Sequence, residues 1–395
     1  KYKKIKKQHN ATSCIFNTMK FLTYTFFGIL FASLFSACET DVDLNASYKS
    51  TTIVFGLLDP GADTQFVKIT KTFLGNGNNL EYAQIRDSSE YQWEEFNFIH
   101  LEEYNPNTGN IINTYSLQEM TITNKDVNGI FYGPEQTVYF LPTPNGLNSN
   151  AMYRIVVDFV SRPDVQAETN VIPATSVFFQ SPQENLGLSL ASVNTVTGAI
   201  DYRDEVSIRW TPIDNAEIYD LSLRMYYKEK VYADDALTVL VSETTKFVDW
   251  NIGTFNADDL DLNSGYYNLT FNAEPYFAYL GNSIPNDNHV RREVGTYDGN
   301  KTRAFELRMG LANEELKTYI NVNSPVTGII QERPSYTNIL GGLGLFASRA
   351  SSYVYNIPLE AGNNTTNINA LVNGIYTADL NFCDPNPNNN EFSCN

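Results

Sequence analysis

The chain has 395 residues, 45 acidic and 27 basic side chains, and a formal net charge of −18. That balance argues against nucleic acid as a partner, since such binding is dominated by phosphate neutralisation, and against electrostatic docking on anionic lipid. With 25 Tyr and 24 Phe it can bury sizeable cores, and it lacks the Ala/Leu/Glu/Lys richness of a helical protein.

Residues 1–18 precede Met19 and are expected to be translation upstream of the start. Met19-Lys20 is a short basic n-region, and residues 21–35 (FLTYTFFGILFASLF) form an uncharged apolar run closed by the small residues Ser36-Ala37. A spanning helix needs about 20 apolar residues, so 19–37 reads as a secretory signal peptide. Phe35-Ser36-Ala37-Cys38 resembles the bacterial lipobox, with Phe for the usual Leu. The resemblance implies cleavage before Cys38 and its diacylation; the alternative is an ordinary signal peptide with an incidental Cys. Each buried lipid CH₂ contributes about 0.8 kcal/mol, so two acyl chains on Cys38 would hold the protein on a membrane. Loss of the leader removes six Lys and no acid, leaving 21 basic and 45 acidic groups and a net charge near −24. Residues 38–50 read as an acidic tether carrying Glu39, Asp41 and Asp43. This stretch resembles the signal that sends Bacteroidota lipoproteins to the outer face of the outer membrane.

The remainder predicts an all-β fold: two tandem β-sandwiches of immunoglobulin or fibronectin III type, then an irregular C-terminal region with one short helix. The first sandwich is expected over 51–175. TTIVFGLLD (51–59) ends at the turn signal Asp59-Pro60-Gly61. TQFVKITKTFL (64–74) alternates, with Phe66 and Lys68 on one face and Val67 and Ile69 on the other. NFIHLEEY (97–104) and NIINTYSL (110–117) flank a turn at 105–109, and TVYFLP (137–142) and MYRIVVDFV (152–160) continue the series.

The second sandwich is expected over 176–285. Trp210 ends one strand, Tyr219, Leu221, Leu223 and Met225 share a face of the next, and Tyr267, Leu269, Phe271 and Ala273 alternate later. These residues resemble a fibronectin type III module, with Trp on its second strand, Tyr on its third, and Tyr-x-apolar-x-apolar-x-Ala on its sixth. The resemblance implies that these aromatics are core, which speaks to architecture and not to function. In 286–395, residues 313–320 read as the short helix, capped by Asn313 and apolar at Leu316, Tyr319 and Ile320. Cys14 lies in the leader and Cys38 takes lipid, so Cys383 and Cys394 remain. In an oxidising compartment they read as a disulfide; two Cys without a nearby His make a poor metal site.

Three ordered patterns are similar to Bacteroidota outer-membrane or surface lipoproteins of unknown-function families. They are residues 51–75, then Tyr153-Arg-Ile-Val-Val157 with Ala167-Glu-Thr169 and Pro173, then Tyr336-Thr-Asn-Ile-Leu-Gly-Gly-Leu-Gly-Leu-Phe346. The resemblance implies a lipid-anchored protein with β-rich domains, at the outer membrane and on the cell surface. It also implies partnership with an outer-membrane transporter or another envelope protein. It supplies no catalytic residues.

Beyond the leader only His100 and His289 remain, one on an apparent strand and one in the polar loop PNDNHVRRE. No nucleophile–His–acid motif is visible, so the expectation is a non-catalytic binding or accessory subunit. A hydrolase using a carboxylate pair is a further alternative. Gly342-Leu-Gly344-Leu-Phe-Ala347 matches G-x-G-x-x-G/A, but a β-like stretch follows where a nucleotide site needs a helix. No cofactor is expected. Asp259, Asp261 and Asn263 cluster hard oxygen ligands of the kind calcium takes, although the EF-hand's Gly and Glu positions hold Ser264 and Thr270; a solvated turn is the alternative. Trp93 and Trp250 could be sugar-stacking platforms in a glycan-binding module, or could fill sandwich cores.

Overall fold

A computed structural model describes residues 49–74, 78–174, 177–234, 236–324, 335–362, 364–389 and 391–394. The first strands are β1 (Thr52–Leu58), β2 (Thr64–Lys71), β3 (Phe96–Tyr104), β4 (Ile111–Ser116), β5 (Gln118–Ile122), β6 (Gln136–Pro142), β7 (Met152–Phe159) and β8 (Val165–Asn170). Each of the principal strands alternates as the sequence predicts. Val67 and Ile69 of β2 turn inward while Phe66 and Lys68 turn outward. Val54 and Leu58 of β1 join them, with Tyr139 and Leu141 of β6. They pack on Ile99 and Leu101 of β3 and on Tyr153, Ile155 and Val157 of β7. Burying each such large apolar side chain contributes about 1.5–3 kcal/mol. One layer is the antiparallel sheet β4-β3-β7-β8; the other is the β1-β2-β6-β5 end of a much larger sheet.

The following strands are β9 (Phe179–Ser181), β10 (Ala191–Val193), β11 (Ile200–Tyr202), β12 (Val206–Trp210), β13 (Ile218–Tyr232), β14 (Leu240–Asn256), β15 (Asp261–Asn263) and β16 (Tyr266–Phe271). After them come β17 (Val290–Val294), β18 (Thr296–Tyr297), β19 (Thr302–Ala312), β20 (Leu343–Pro358) and β21 (Phe382–Cys383). The sheet β9-β12-β16-β15 belongs to a second core shared with β13, β14, β19 and β20 of the large sheet. Trp210 and Tyr219 are fully buried. With Tyr267 they form a triangle of rings whose centroids lie 5.5–5.9 Å apart. The aromatics that resemble a fibronectin III core are therefore core. The helices Glu274–Ser283 and Thr366–Asn373 add Tyr276, Phe277, Ile368 and Leu371 to it.

The strand holding Tyr267 pairs with β12, while β13 pairs with β14 and β19. Pro275 in the first turn of the helix Glu274–Ser283 sends the chain away from the sheet, and the strand that returns beside β13 comes only after this insertion. Residues 286–395 are not irregular. They supply β17–β21 and a second helix, and Phe305, Leu307, Met309 and Leu311 of β19 alternate into the second core. His289 lies in a turn as expected, but the residues after it do not: Val290–Val294 form β17, with Val290 and Val294 turned inward, and pair with β13. The expected division at 175/176 falls close to where the cores change, since Val171 belongs to the first and Ile172 to the second. The one expected at 285/286 divides no core, because the second core continues through β19 and β20.

Strand β20 joins the two cores. Its first half runs parallel to β1, from Ile53↔Leu343 to Leu58↔Ser348. Its second half runs antiparallel to β19. The glycines of the G-x-G-x-x-A match explain themselves here. A Cβ on Gly344, whose φ is +115°, would stand 2.0 Å from the Val54 carbonyl oxygen, and one on Gly342 2.8 Å from that of Thr52. They permit close approach of two strands and cradle no phosphate.

Asn313 caps the helix Glu314–Asn323 as expected, its Oδ1 accepting from the Leu316 N–H at 3.3 Å. Cys383 and Cys394 form a disulfide that closes the C-terminal loop. Cys383→Ser is expected to lower the unfolding free energy by about 3 kcal/mol, the loop-closure entropy of so short a loop. Urea unfolding with and without reductant reads it; identical midpoints would show that the loop is held by its other contacts.

Candidate functional site

Cys38 and the acidic residues that follow it lie outside the described residues. The other residues singled out from the sequence fall in different places. Trp93 begins a 3₁₀ turn and is 41% exposed, with one face stacked on Tyr139 at 6.2 Å. Trp250 offers no open platform: it is half-buried on β14 and packs against Phe271 and Tyr276 at 5.5 and 5.6 Å. His100 is a strand residue stacked on Phe98, with Nε2 3.2 Å from Glu102 Oε1.

Asp259, Asp261 and Asn263 are exposed, and the Asn263↔Tyr266 pair is closed by Ser264 and Gly265, both at positive φ. That is the geometry of a two-residue hairpin turn, which accounts for the polar cluster. Asp259 accepts from Asn256 at 2.8 Å and Asn263 from Ser264 at 3.0 Å. Among the described residues, no group of three or more His, Cys, Asp or Glu is placed to hold a metal ion.

Concavities among the described residues include three larger than a few water molecules. One of about 430 Å³ is mostly apolar, between Phe55, Phe66 and Leu345 of the sheet and Leu316 and Tyr319 of the helix laid across it. One of about 270 Å³ is polar, rimmed by Asn364, Asn386, Asn388 and Asn389 with Glu360 and Asp384 inside. The two acids are already engaged. Glu360 accepts from the Asn367 and Ile368 N–H groups at 3.1 and 2.7 Å, so it caps a helix. Asp384 accepts from the Thr302 hydroxyl at 2.5 Å and from Asn389 at 3.0 Å.

The third concavity, also about 270 Å³, opens on the outer face of β13, β19 and β20 and is lined by Tyr226, Arg303, Glu306, Tyr355 and Asn356. Here the strands bring together residues far apart in sequence. Tyr226 pairs with Phe247, Arg224 with both Asp249 and Glu306, and Arg308 with Tyr353. Arg224 donates to both Asp249 oxygens at 2.6 and 2.7 Å and lies 3.7 Å from the Phe247 ring centroid. The hydrogen bonds to Asp249 raise the Arg224 guanidinium above its usual range, and the same bonds lower the Asp249 carboxyl. The Tyr226 hydroxyl donates to Glu306 at 2.7 Å; burial, and then that bond, push its pKa up.

A bulge sets the exposed end of this face. Phe305 pairs with Ile357 but Leu307 with Val354, so three steps of β20 oppose two of β19. Asn356 takes up the extra residue at φ 54°, in the left-handed region that Asn tolerates. Tyr353 and Tyr355, two residues apart on the strand before it, point outward together, their rings 5.5 Å apart and 21° from parallel. Arg308 lies 5.4 Å from the Tyr353 ring. Its Nε is 3.3 Å from Glu306 Oε1 but off the hydrogen-bonding direction, so this buried N–H has no hydrogen-bond acceptor among the described residues. At either end of the face, Phe247 is 52% and Tyr355 54% exposed.

No helix among the described residues is long and apolar enough to cross a membrane. No protein-family model matches the chain, and no curated relative matches it. Among solved structures, the chain is similar at 9% identity and a TM-score of 0.13 to a biofilm associated protein, BSP domain, over 77% of this chain and 58% of that one. The chain thus covers less than two thirds of that structure, and a likeness of this size carries no argument about fold or ligand.

Proposed function

We propose that the chain is a non-catalytic binding protein of the bacterial envelope, held at the outer membrane through lipid on Cys38. Its outer β14-β13-β19-β20 face takes the ligand. The observation that carries this is the pair of half-exposed rings, Phe247 and Tyr355, at either end of a face braced by Arg224, Arg308 and Tyr353. Aromatic and Arg side chains on a rigid element lose little freedom on binding, and such residues dominate recognition surfaces. The non-catalytic reading is supported by the structural duties of Glu306, Glu360 and Asp384, each tied to a hydroxyl or to a helix terminus. Service beside an outer-membrane transport system follows from the lipoprotein resemblance alone.

A photo-crosslinking residue at position 247 of the full-length lipidated protein tests this in native envelopes. An adduct is expected at 247 and not at Ile112, which is equally exposed on β4. Equal labelling at both positions, or none at 247, would overturn the binding face.

A further inference from the structure

We propose that the concavity beside Tyr355 is a carbohydrate subsite that takes one pyranose ring of a neutral glycan. The inference rests on the binding reading above and names its ligand class. Arg308, Tyr353 and Tyr355 form a stack: guanidinium, ring, ring. The last ring is over half exposed, and it lines the concavity while Tyr353 does not. A further layer on that stack would be a ligand.

The surrounding groups select the kind of ligand. A pyranose has one face of C–H groups, which suits the negative face of a tyrosine ring, and a rim of hydroxyls that need both donors and acceptors. The Tyr355 hydroxyl and the Asn356 side-chain amide make no hydrogen bond to another described residue. Glu306 accepts from Tyr226 and, as a carboxylate, keeps further acceptor sites. A purely apolar ligand would leave these groups unpaired, at a cost in affinity.

Charge narrows the class further. The acidic chain repels acidic glycans. An organic cation is disfavoured because Arg303 lines the same concavity and Arg308 flanks Glu306. The volume of about 270 Å³ falls below that of most drug-sized pockets and suits a single ring, with neighbouring rings lying along the open sheet face toward Phe247.

The test uses the whole lipoprotein in detergent, by affinity electrophoresis through gels containing soluble starch, laminarin, galactomannan or yeast mannan. Retardation by at least one of these neutral polysaccharides is expected. Tyr355→Ala should weaken it about tenfold through loss of the stacking surface, while Tyr355→Phe keeps the stacking and should weaken it only about threefold, through loss of the hydroxyl's hydrogen bond. Trp93→Ala should leave it unchanged. Because Tyr355 is exposed, unaltered urea midpoints for all three variants show that folding is intact. Retardation by none of the polymers, or full retention in Tyr355→Ala, would overturn the subsite. If position 247 still crosslinks to an envelope protein in that case, the subsite has failed and the binding face stands. If neither experiment gives a signal, both readings fall.

Discussion

Replacing Arg292 by Ala is expected to lower the free energy of unfolding by about 3–5 kcal/mol, the usual cost of removing one partner from a buried ion pair. Arg292 is 1% exposed at the middle of β17. Its three kinds of nitrogen each have a separate duty. Nε donates to Glu229 at 3.1 Å, Nη1 to the Leu380 carbonyl at 2.7 Å, and Nη2 to the Pro285 carbonyl at 2.8 Å. One planar fork therefore ties β13, the loop before β17 and the chain entering β21. Truncation takes one of two cations from Glu229, which keeps Lys246, and leaves the buried Leu380 carbonyl and the Pro285 carbonyl without this donor; each lost hydrogen-bond partner costs about 1–3 kcal/mol. Arg292→Lys should recover only part, since an ammonium on a flexible stem cannot meet three acceptors in fixed directions. Equilibrium urea unfolding of the three proteins decides it. A loss under 1 kcal/mol for the Ala variant would mean that water replaces the guanidinium and that the three segments are held by their apolar contacts.

The Arg292 site also shows where sequence reasoning stops. Strands β1, β2 and β7 are legible because buried positions recur at every second residue over seven or eight residues, with a turn signal nearby. The Trp210–Tyr219–Tyr267 core is legible because large aromatics recur on strand-like faces. The charged stretch Val290–Val294 gives no such signal, since a buried Arg looks like any surface Arg until its three acceptors, from remote segments, are known.

The proposed binding face is not legible in the sequence for a related reason. SSYVYNIPL is plainly strand-like, but alternating tyrosines describe an inward face as well as an outward one. What decides between them is the pairing of Val354 with Leu307, which turns Val354 inward and its two tyrosine neighbours outward; the bulge at Asn356 then brings Ile357 inward as well. An Asn interrupting an alternating aromatic strand is the one local hint. Trp250 took the second of its two readings: a Trp among polar residues on a long edge strand resembles a platform, but the helix Glu274–Ser283, packed from elsewhere, covers it with Tyr276 and makes it core.

The second large effect is on pH. Stability is expected to fall by about 3 kcal/mol between pH 4.5 and 7 on account of Glu360, and Glu360→Gln should remove that slope. Burial pushes the Glu360 carboxyl up to about 7 from the 4.5 of an open chain, overcoming the N–H bonds from Asn367 and Ile368; nearby Asp384 adds to the rise. Within that window the folded protein holds a proton that the unfolded chain has released. The stabilisation is therefore complete below pH 4.5 and is lost as pH rises through 7. Carboxylates of the opposite kind act in a different range. Glu90, despite its burial, is held low by hydrogen bonds from Lys68, Thr137 and Arg86, so its stabilisation is present at neutral pH and disappears only on acidification below 4.5. The two limbs do not overlap, and stability should peak near pH 4.5–5 and decline on either side. Urea midpoints in half-unit steps from pH 3 to 8 separate them: the Gln variant should follow the wild type on the acid limb and stay level on the other. If both proteins decline together above pH 5, the slope belongs to another group, and the carboxylate of Glu360 is charged in the fold, stabilised by the helix it caps.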